Sequence, residues 1–325
     1  MTHCKIDLVY VWCLDDDPGW RAKRRAVAES CGVALSESQN GDCRYRGGDL
    51  LRYSLRSVAS NAPWIENVFV VVDDDQSVPP WSELASPNVR VVRHSEIIPR
   101  EFLPTFCSDT IEHHIARIPG LAERFLYAND DMLFWDAVAP SFFFAPDGRP
   151  YLRYGARRTA SADSAEAAYR GWLDRADALV VGKFALRHGA RSPLGRLPHH
   201  NVDAYLKSDV TACYDAFRAE IEKGFASPFR NPATVQRAVY SDYAFAIGHG
   251  HFRRATFNTN CASSWWRRLL PSWADSLQVP SGKWRDAPAL IARFRPKLVC
   301  FNDGSATTDD DFEWLREMLG ARWPL

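Results

Sequence analysis

Phe125-Leu-Tyr-Ala-Asn-Asp-Asp131 is a short apolar run that stops on an amide and two carboxylates. A run of that length, bounded by polar residues, suits a buried strand. Carboxylates at a strand's carboxyl end sit where an open α/β sheet places its ligand chemistry. Hard oxygen donors in such a place suit Mg²⁺ or Mn²⁺ carried with a diphosphate. Asn302-Asp303 is a second amide–carboxylate pair that could complete the metal shell, or simply form an Asx turn before Gly304. Arg52 and Arg56 stand one helical turn apart on a single face, and the planar guanidinium fork fits phosphate oxygens bidentately. A histidine titrates near neutrality, which suits taking a proton from a hydroxyl. The chain offers an adjacent pair for that task, His199 and His200, which sequence by itself does not separate.

The elements needed to position these groups can be read from periodicity. Residues 6–12 are apolar and β-branched, hence a strand; residues 49–60 have apolar positions at helical spacing, with Asp49 as N-cap and Pro63 as the stop. Residues 68–72 form a continuous apolar run, as in a strand covered on both faces, and 89–92 form another. A short helix is expected over 109–117, stopped by Pro119-Gly120, before the strand at 125–128. This alternation predicts an α/β fold, an open and mostly parallel sheet with helices on its faces. Residues 145–195 dissolve into Arg, Ala, Gly and Ser without clear strands and read as an insertion or lid. Helical patterns follow at 202–222 and 233–246, so 145–260 is expected to be a mostly helical subregion of a single catalytic domain spanning 1–325. An amphipathic helix at 310–319 closes the chain.

Composition narrows the function classes. Lys plus Arg equals Asp plus Glu, at 40 each, so no global basic field calls for nucleic acid. Eight cysteines lie scattered without a C-x-x-C pair, and the start of the chain has no basic region followed by an apolar one. Both features read as reduced thiols in a cytoplasmic protein. No run reaches transmembrane length, so a membrane-borne product would need peripheral contact. Trp265, Trp266, Trp273 and Trp284 interleave with Arg267, Arg268, Lys283 and Arg285, a pattern suited to a lipid surface, a glycan or a core. No P-loop appears and no G-x-G-x-x-G follows a strand, which argues against ATP-driven or nicotinamide chemistry.

Four blocks, in order, carry a family resemblance. The first is Ile6-Asp-Leu-Val-Tyr-Val-Trp12 with Asp17-Pro18. The second runs from Leu51-Arg-Tyr-Ser-Leu-Arg-Ser57 through Gln76, His94, Leu103-Pro-Thr-Phe106, Ile111-Glu112 and Ile118-Pro-Gly-Leu121 to Asn129-Asp-Asp131. The third is Pro198-His199 with Phe229-Arg-Asn231, and the fourth is Cys300-Phe-Asn-Asp303. In these the chain resembles the Stealth family of sugar-phosphate transferases, which includes bacterial capsular polysaccharide hexose-1-phosphate transferases and the lysosomal-enzyme N-acetylglucosamine-1-phosphotransferase. The resemblance implies a build like that of nucleotide-sugar transferases. It also implies transfer of a sugar 1-phosphate from a nucleotide-diphosphate sugar, a UDP-sugar first, to a glycan hydroxyl. It places Asp131 and Glu112 in the active centre, makes His199 the base, and gives Arg230 the diphosphate. Asp17, Arg52, Arg56, Gln76 and Asn129 become substrate contacts, and Asp131, Asn302 and Asp303 the Mg²⁺ or Mn²⁺ ligands. Leu14 and Gly47-Gly-Asp-Leu50 depart from the family pattern, so donor recognition is expected to differ here. A metal-dependent glycosyltransferase releasing nucleoside diphosphate, and an inactive glycan-binding protein, are the alternative readings.

Overall fold

The computed structural model describes all residues except 1–4, 15, 36–39, 78–87, 162–163, 190, 256–274 and 325. Strands β1 (Ile6–Val11), β2 (Val68–Val72), β3 (Val89–Arg93) and β4 (Arg124–Asn129) run parallel in the order β3-β2-β1-β4. The short β5 (Met132–Phe134) follows β4 directly. Downstream lie β6 (Tyr151–Arg157), β7 (Arg196–Pro198) and β8 (Asp203–Leu206), the last adding antiparallel to the far side of β4. β9 (His251–Arg254) pairs with β6 in a small sheet that also holds β7. β10 (Ser276–Val279) and β11 (Leu298–Phe301) form another small sheet with β5.

Sequence alternation decides which side each central residue faces. Val9 of β1 joins one apolar cluster with Phe69, Val71 and Tyr127, beneath the helices Ser164–Phe184, Lys207–Ala216 and Ala238–Ala246. Leu8 and Tyr10 join the other, with Val70, Leu126 and the helix Leu51–Asn61. Asp7, fully buried at the amino end of β1, accepts hydrogen bonds from Asn67 N, Asn67 Nδ2 and Ala122 N at 3.1, 2.9 and 2.7 Å. It thereby ties the starts of β2 and β4 to the central strand. The chain walks outward from β1 to β3, then crosses back to lay β4 on the other side of β1. The carboxyl ends of β1 and β4 therefore flank the switch point, where a crevice opens in such sheets.

The predicted strands at 68–72, 89–92 and 125–128 are present within a residue or two of their expected ends. The reading of 145–195 needs correction. It contains a true strand, β6, and the long helix Ser164–Phe184. That helix mixes Trp172, Leu173, Ala176 and Leu179-Val180-Val181 with charges around its circumference, which blurs the stripe that periodicity detects. The charges are paired: Arg158 reaches Asp174 at 2.8 Å and also grips Asp177. Within 145–260, β8 completes the edge of the main sheet, so this stretch is woven into the fold. The helix expected from Asp49 starts at Leu51 with no side-chain cap, because both Asp49 oxygens are taken by Arg316 at 2.7 and 3.1 Å. Of the described cysteines, Cys31, Cys43, Cys107, Cys213 and Cys300 are free thiols, and the Cys13 thiol donates to Tyr45 O at 3.8 Å. No helix among the described residues is long and apolar enough to cross a membrane. Trp265, Trp266 and Trp273 fall outside the described residues, while Trp284 is buried in the core against Phe301 and Phe312.

Candidate active site

A cleft of about 520 Å³ opens at the switch point. Val11, Trp12 and Cys13 leave β1 into it, and Asn129, Asp130 and Asp131, the turn between β4 and β5, form its floor. Cys300 at the end of β11 donates its thiol to Asp131 Oδ2 at 3.3 Å, while the buried Oδ1 has no hydrogen-bond partner. Burial pushes the Asp131 carboxyl up to about 6, and the nearby Asp303 charge pushes the same way. Donor atoms of Asp131, His200 and Cys300 all lie within 4.8 Å of one another, close enough to share one cation. The buried, unpartnered carboxylate oxygen is what such an ion would satisfy, and Asn302 lines the same wall. Burial and the neighbouring Arg237 charge push His200 down to about 4, so its ring is neutral near pH 7.

The opposite wall is cationic. The short helix Ser108–Glu112 turns Asp109 and Glu112 toward the cleft. Arg230 Nη2 donates to Ser108 Oγ at 2.6 Å, and its Nε lies 3.4 Å from Asp109 Oδ2. Arg237 Nη2 donates to Asp203 Oδ2 at 2.9 Å, with Nη1 3.6 Å from Glu112 Oε2 and the guanidinium 4.5 Å from the centre of the Tyr127 ring. Tyr127 OH lies 2.8 Å from Glu112 Oε1 and 2.7 Å from Asn129 Oδ1, which links this wall to the floor. Burial, reinforced by Glu112, raises the Asp109 carboxyl to about 6. Arg44 also lines the cleft, and burial together with the like charge of Arg230 lowers its pKa. Three guanidiniums around one cleft suit a polyanionic group such as a diphosphate.

Of the residues singled out from sequence, Glu112, Asn129, Asp131, Arg230, Asn302 and Asp303 share this cleft. His199 does not line it. Adjacent residues leaving an extended segment point opposite ways: His199 turns inward, its Nε2 3.0 Å from Asp203 Oδ1, and His200 faces the cleft. Asp303 lies at the cleft with both oxygens gripped by Arg46, at 3.0 and 2.9 Å. Arg52 contacts Tyr53 OH at 3.0 Å and Asp49 at 3.6 Å. Arg56 donates to the carbonyls of Trp323 and Pro324. The helix face they share lies toward the C-terminal helix Asp309–Arg322, away from the cleft lining. Asp17 caps the helix Pro18–Cys31, accepting from Gly19 N and Trp20 N at 2.8 and 3.0 Å. Gln76 donates to Leu14 O at 2.7 Å and sits outside the lining. Asp109, Arg44, Arg237 and Cys300 were not singled out. Asp109 has a signal, being one turn before Glu112; Arg237 has none, because only the fold brings it beside Glu112 and Asp203.

Fold and cleft together define an α/β protein in which several arginines share a cleft with a buried carboxylate at a strand end. Residues 44–152 match Stealth protein CR2, conserved region 2. The receptor polysaccharide phosphotransferase WefC of Streptococcus oralis is 28% identical over 94% of this chain and 93% of its own length. The capsular polysaccharide phosphotransferase WcwK of Streptococcus pneumoniae is 28% identical over 98% and 96%. The exopolysaccharide phosphotransferase CpsY of Mycobacterium tuberculosis is 33% identical over 75% of this chain and 44% of its own. Among solved structures, the galactosyltransferase LgtC is 13% identical with a TM-score of 0.43, covering 97% of this chain and 95% of its own. The chain belongs to the Stealth family.

Proposed function

We propose that this cleft transfers a sugar 1-phosphate from a nucleotide-diphosphate sugar, a UDP-sugar first, to a hydroxyl of a polysaccharide. The names of the full-length relatives support the phosphotransferase reading. The observation that carries it is the unpartnered Asp131 oxygen lying in one cleft with Arg44, Arg230 and Arg237.

In this reading the acceptor oxygen attacks the sugar-side phosphorus, and the bond from that phosphorus to the bridging oxygen breaks. The nucleoside monophosphate leaves with the bridging oxygen, and a phosphodiester remains. Arg230, its fork held by Ser108 and Asp109, neutralises the sugar-side phosphate. Arg237, held between Glu112 and Asp203, adds positive charge from the same wall. His200, neutral and facing the cleft, accepts the proton of the acceptor hydroxyl. Asp131 and Asn302 would hold Mg²⁺ or Mn²⁺, with the Cys300 thiol orienting Asp131. Such an ion, when bound, supplies charge compensation for the diphosphate. We place the reaction at the cytoplasmic side of a membrane, with the acceptor met by peripheral contact.

Incubation with a panel of nucleotide sugars and a capsular-type acceptor tests the reading. Nucleoside monophosphate release and a phosphodiester signal by phosphorus NMR are expected. Nucleoside diphosphate release with a plain glycosidic linkage would replace it with the glycosyltransferase reading. Salt-sensitive flotation with anionic vesicles tests the membrane contact; its absence removes that part alone.

A further inference from the structure

At the carboxyl ends of β2 and β3 the cleft has a second polar corner, away from the β4–β5 turn. His94, the first residue after β3, lines the cleft and is only 4% exposed. Neither of its ring nitrogens has a hydrogen-bond partner. Its Nδ1 is 4.0 Å from Asp73 Oδ2, too far for a hydrogen bond, and Asp73 lines the cleft beside it. A buried imidazole with both nitrogens unmet is costly unless something supplies partners.

The surroundings of His94 are tied together by hydrogen bonds. Asp73 Oδ1 accepts from Lys23 Nζ at 2.8 Å and Asp75 N at 3.0 Å. Arg93 Nη1 donates to the carbonyls of Asp73 and Gln76 at 2.9 and 2.8 Å. Gln76 ties this rim to the loop after β1 through Leu14 O. Burial lowers the His94 pKa to about 4, so the ring offers one N–H donor and one acceptor near pH 7. In an open α/β sheet, the strands on one side of the switch point seat one part of a ligand and those on the other side the rest. The arginines and Asp131 take the diphosphate, which leaves the β2–β3 corner for the uncharged part of the nucleotide.

We propose that His94, with Asp73 beside it, forms the nucleoside subsite, hydrogen-bonding the base or ribose of the donor through its unmet ring nitrogens. The inference rests on the nucleotide-sugar reading above and assigns donor recognition to residues that reading leaves unused.

Calorimetric titration of the full chain with UMP, CMP, GMP, AMP and inorganic pyrophosphate tests it, in the wild type and in His94→Phe and His94→Gln. The wild type is expected to bind one nucleoside monophosphate more tightly than pyrophosphate. His94→Phe should weaken that nucleotide roughly 10- to 100-fold, the loss expected for an unmade buried hydrogen bond. Pyrophosphate binding should be unchanged, which also shows that the variant is folded. His94→Gln, which keeps a donor and an acceptor, should recover part of the loss. Undiminished nucleotide binding in both variants, or equal losses of nucleotide and pyrophosphate in His94→Gln, overturns the His94 assignment and leaves the phosphotransferase reading standing. A wild type that prefers no nucleoside over pyrophosphate overturns both.

Discussion

Arg46 holds Asp303 through both carboxylate oxygens, at 3.0 and 2.9 Å, and the same guanidinium donates to Gly304 O at 3.1 Å. A bidentate grip of this kind fixes the orientation of the carboxylate and engages both of its oxygens. Asp303 therefore anchors the loop after β11 beside the cleft, while Asp131 keeps an oxygen without a hydrogen-bond partner.

From this division follows a difference between two acids. Asp131→Asn should abolish Mn²⁺ binding measured by calorimetry or by paramagnetic relaxation of water. Asp303→Asn should weaken it by only roughly 10- to 100-fold, as an outer-sphere change does. Equal losses in the two variants would show that Asp303 leaves Arg46 to bind the ion.

The Asp131 carboxyl titrates near pH 6 because burial disfavours its charge. A cation binds the deprotonated form, so Mn²⁺ affinity should be full above that value and fall as pH drops through it. A pH titration of affinity between about 4.5 and 8 checks this; a flat profile down to the ordinary aspartate range would contradict the burial argument.

Adjacent histidines should separate cleanly. His200→Ala is expected to cost on the order of 10²–10⁴ in turnover while leaving the melting temperature near that of the wild type. His199→Ala removes the partner of Asp203 Oδ1, leaving Arg237 on that carboxylate, and should lower the melting temperature instead. Normal turnover in His200→Ala beside a folded, inactive His199→Ala would reverse the assignment.

Arg230 works through geometry as much as charge, since its fork is set by Ser108 and Asp109. Arg230→Lys keeps the charge and loses the fork, so turnover should fall steeply despite the conservative change. Steady-state kinetics decide the point, and near-normal kcat with lysine would mean that a point charge suffices.

Away from the cleft, Asp242 is buried among Tyr154, Asp177 and Arg158, and burial followed by the Asp177 charge holds its carboxyl well above the usual range. A raised pKa in the folded state means the fold binds a proton that the unfolded chain releases. The contribution of this group to stability is then fully present below the unfolded aspartate pKa and is lost as pH rises through the folded value. Asp242→Asn should remove this decline, seen as a flatter dependence of melting temperature on pH; an unchanged slope would place the proton elsewhere.

Much of this protein is legible from local pattern. The continuous apolar runs ending at Val72 and Ala128 read as buried strands, because a sheet covered on both faces removes alternation. The carboxylates that follow β4 were readable as a site because strand ends in an α/β sheet converge on the crevice. The long helix Ser164–Phe184 is hard to read from sequence because Asp177 is buried on the same face as Trp172, Leu173, Ala176 and Val180 and interrupts the apolar stripe. Which of His199 and His200 faces the cleft, and which partners Asp303, Arg52 and Arg56 take, depends on tertiary structure. Side-chain direction at a turn, and the arrival of Arg46, Tyr53 or the carbonyls of Trp323 and Pro324 from distant segments, leave no local trace. Residue types and strand ends determined which chemistry the chain could offer; packing across the sheet decided which of those residues face the cleft.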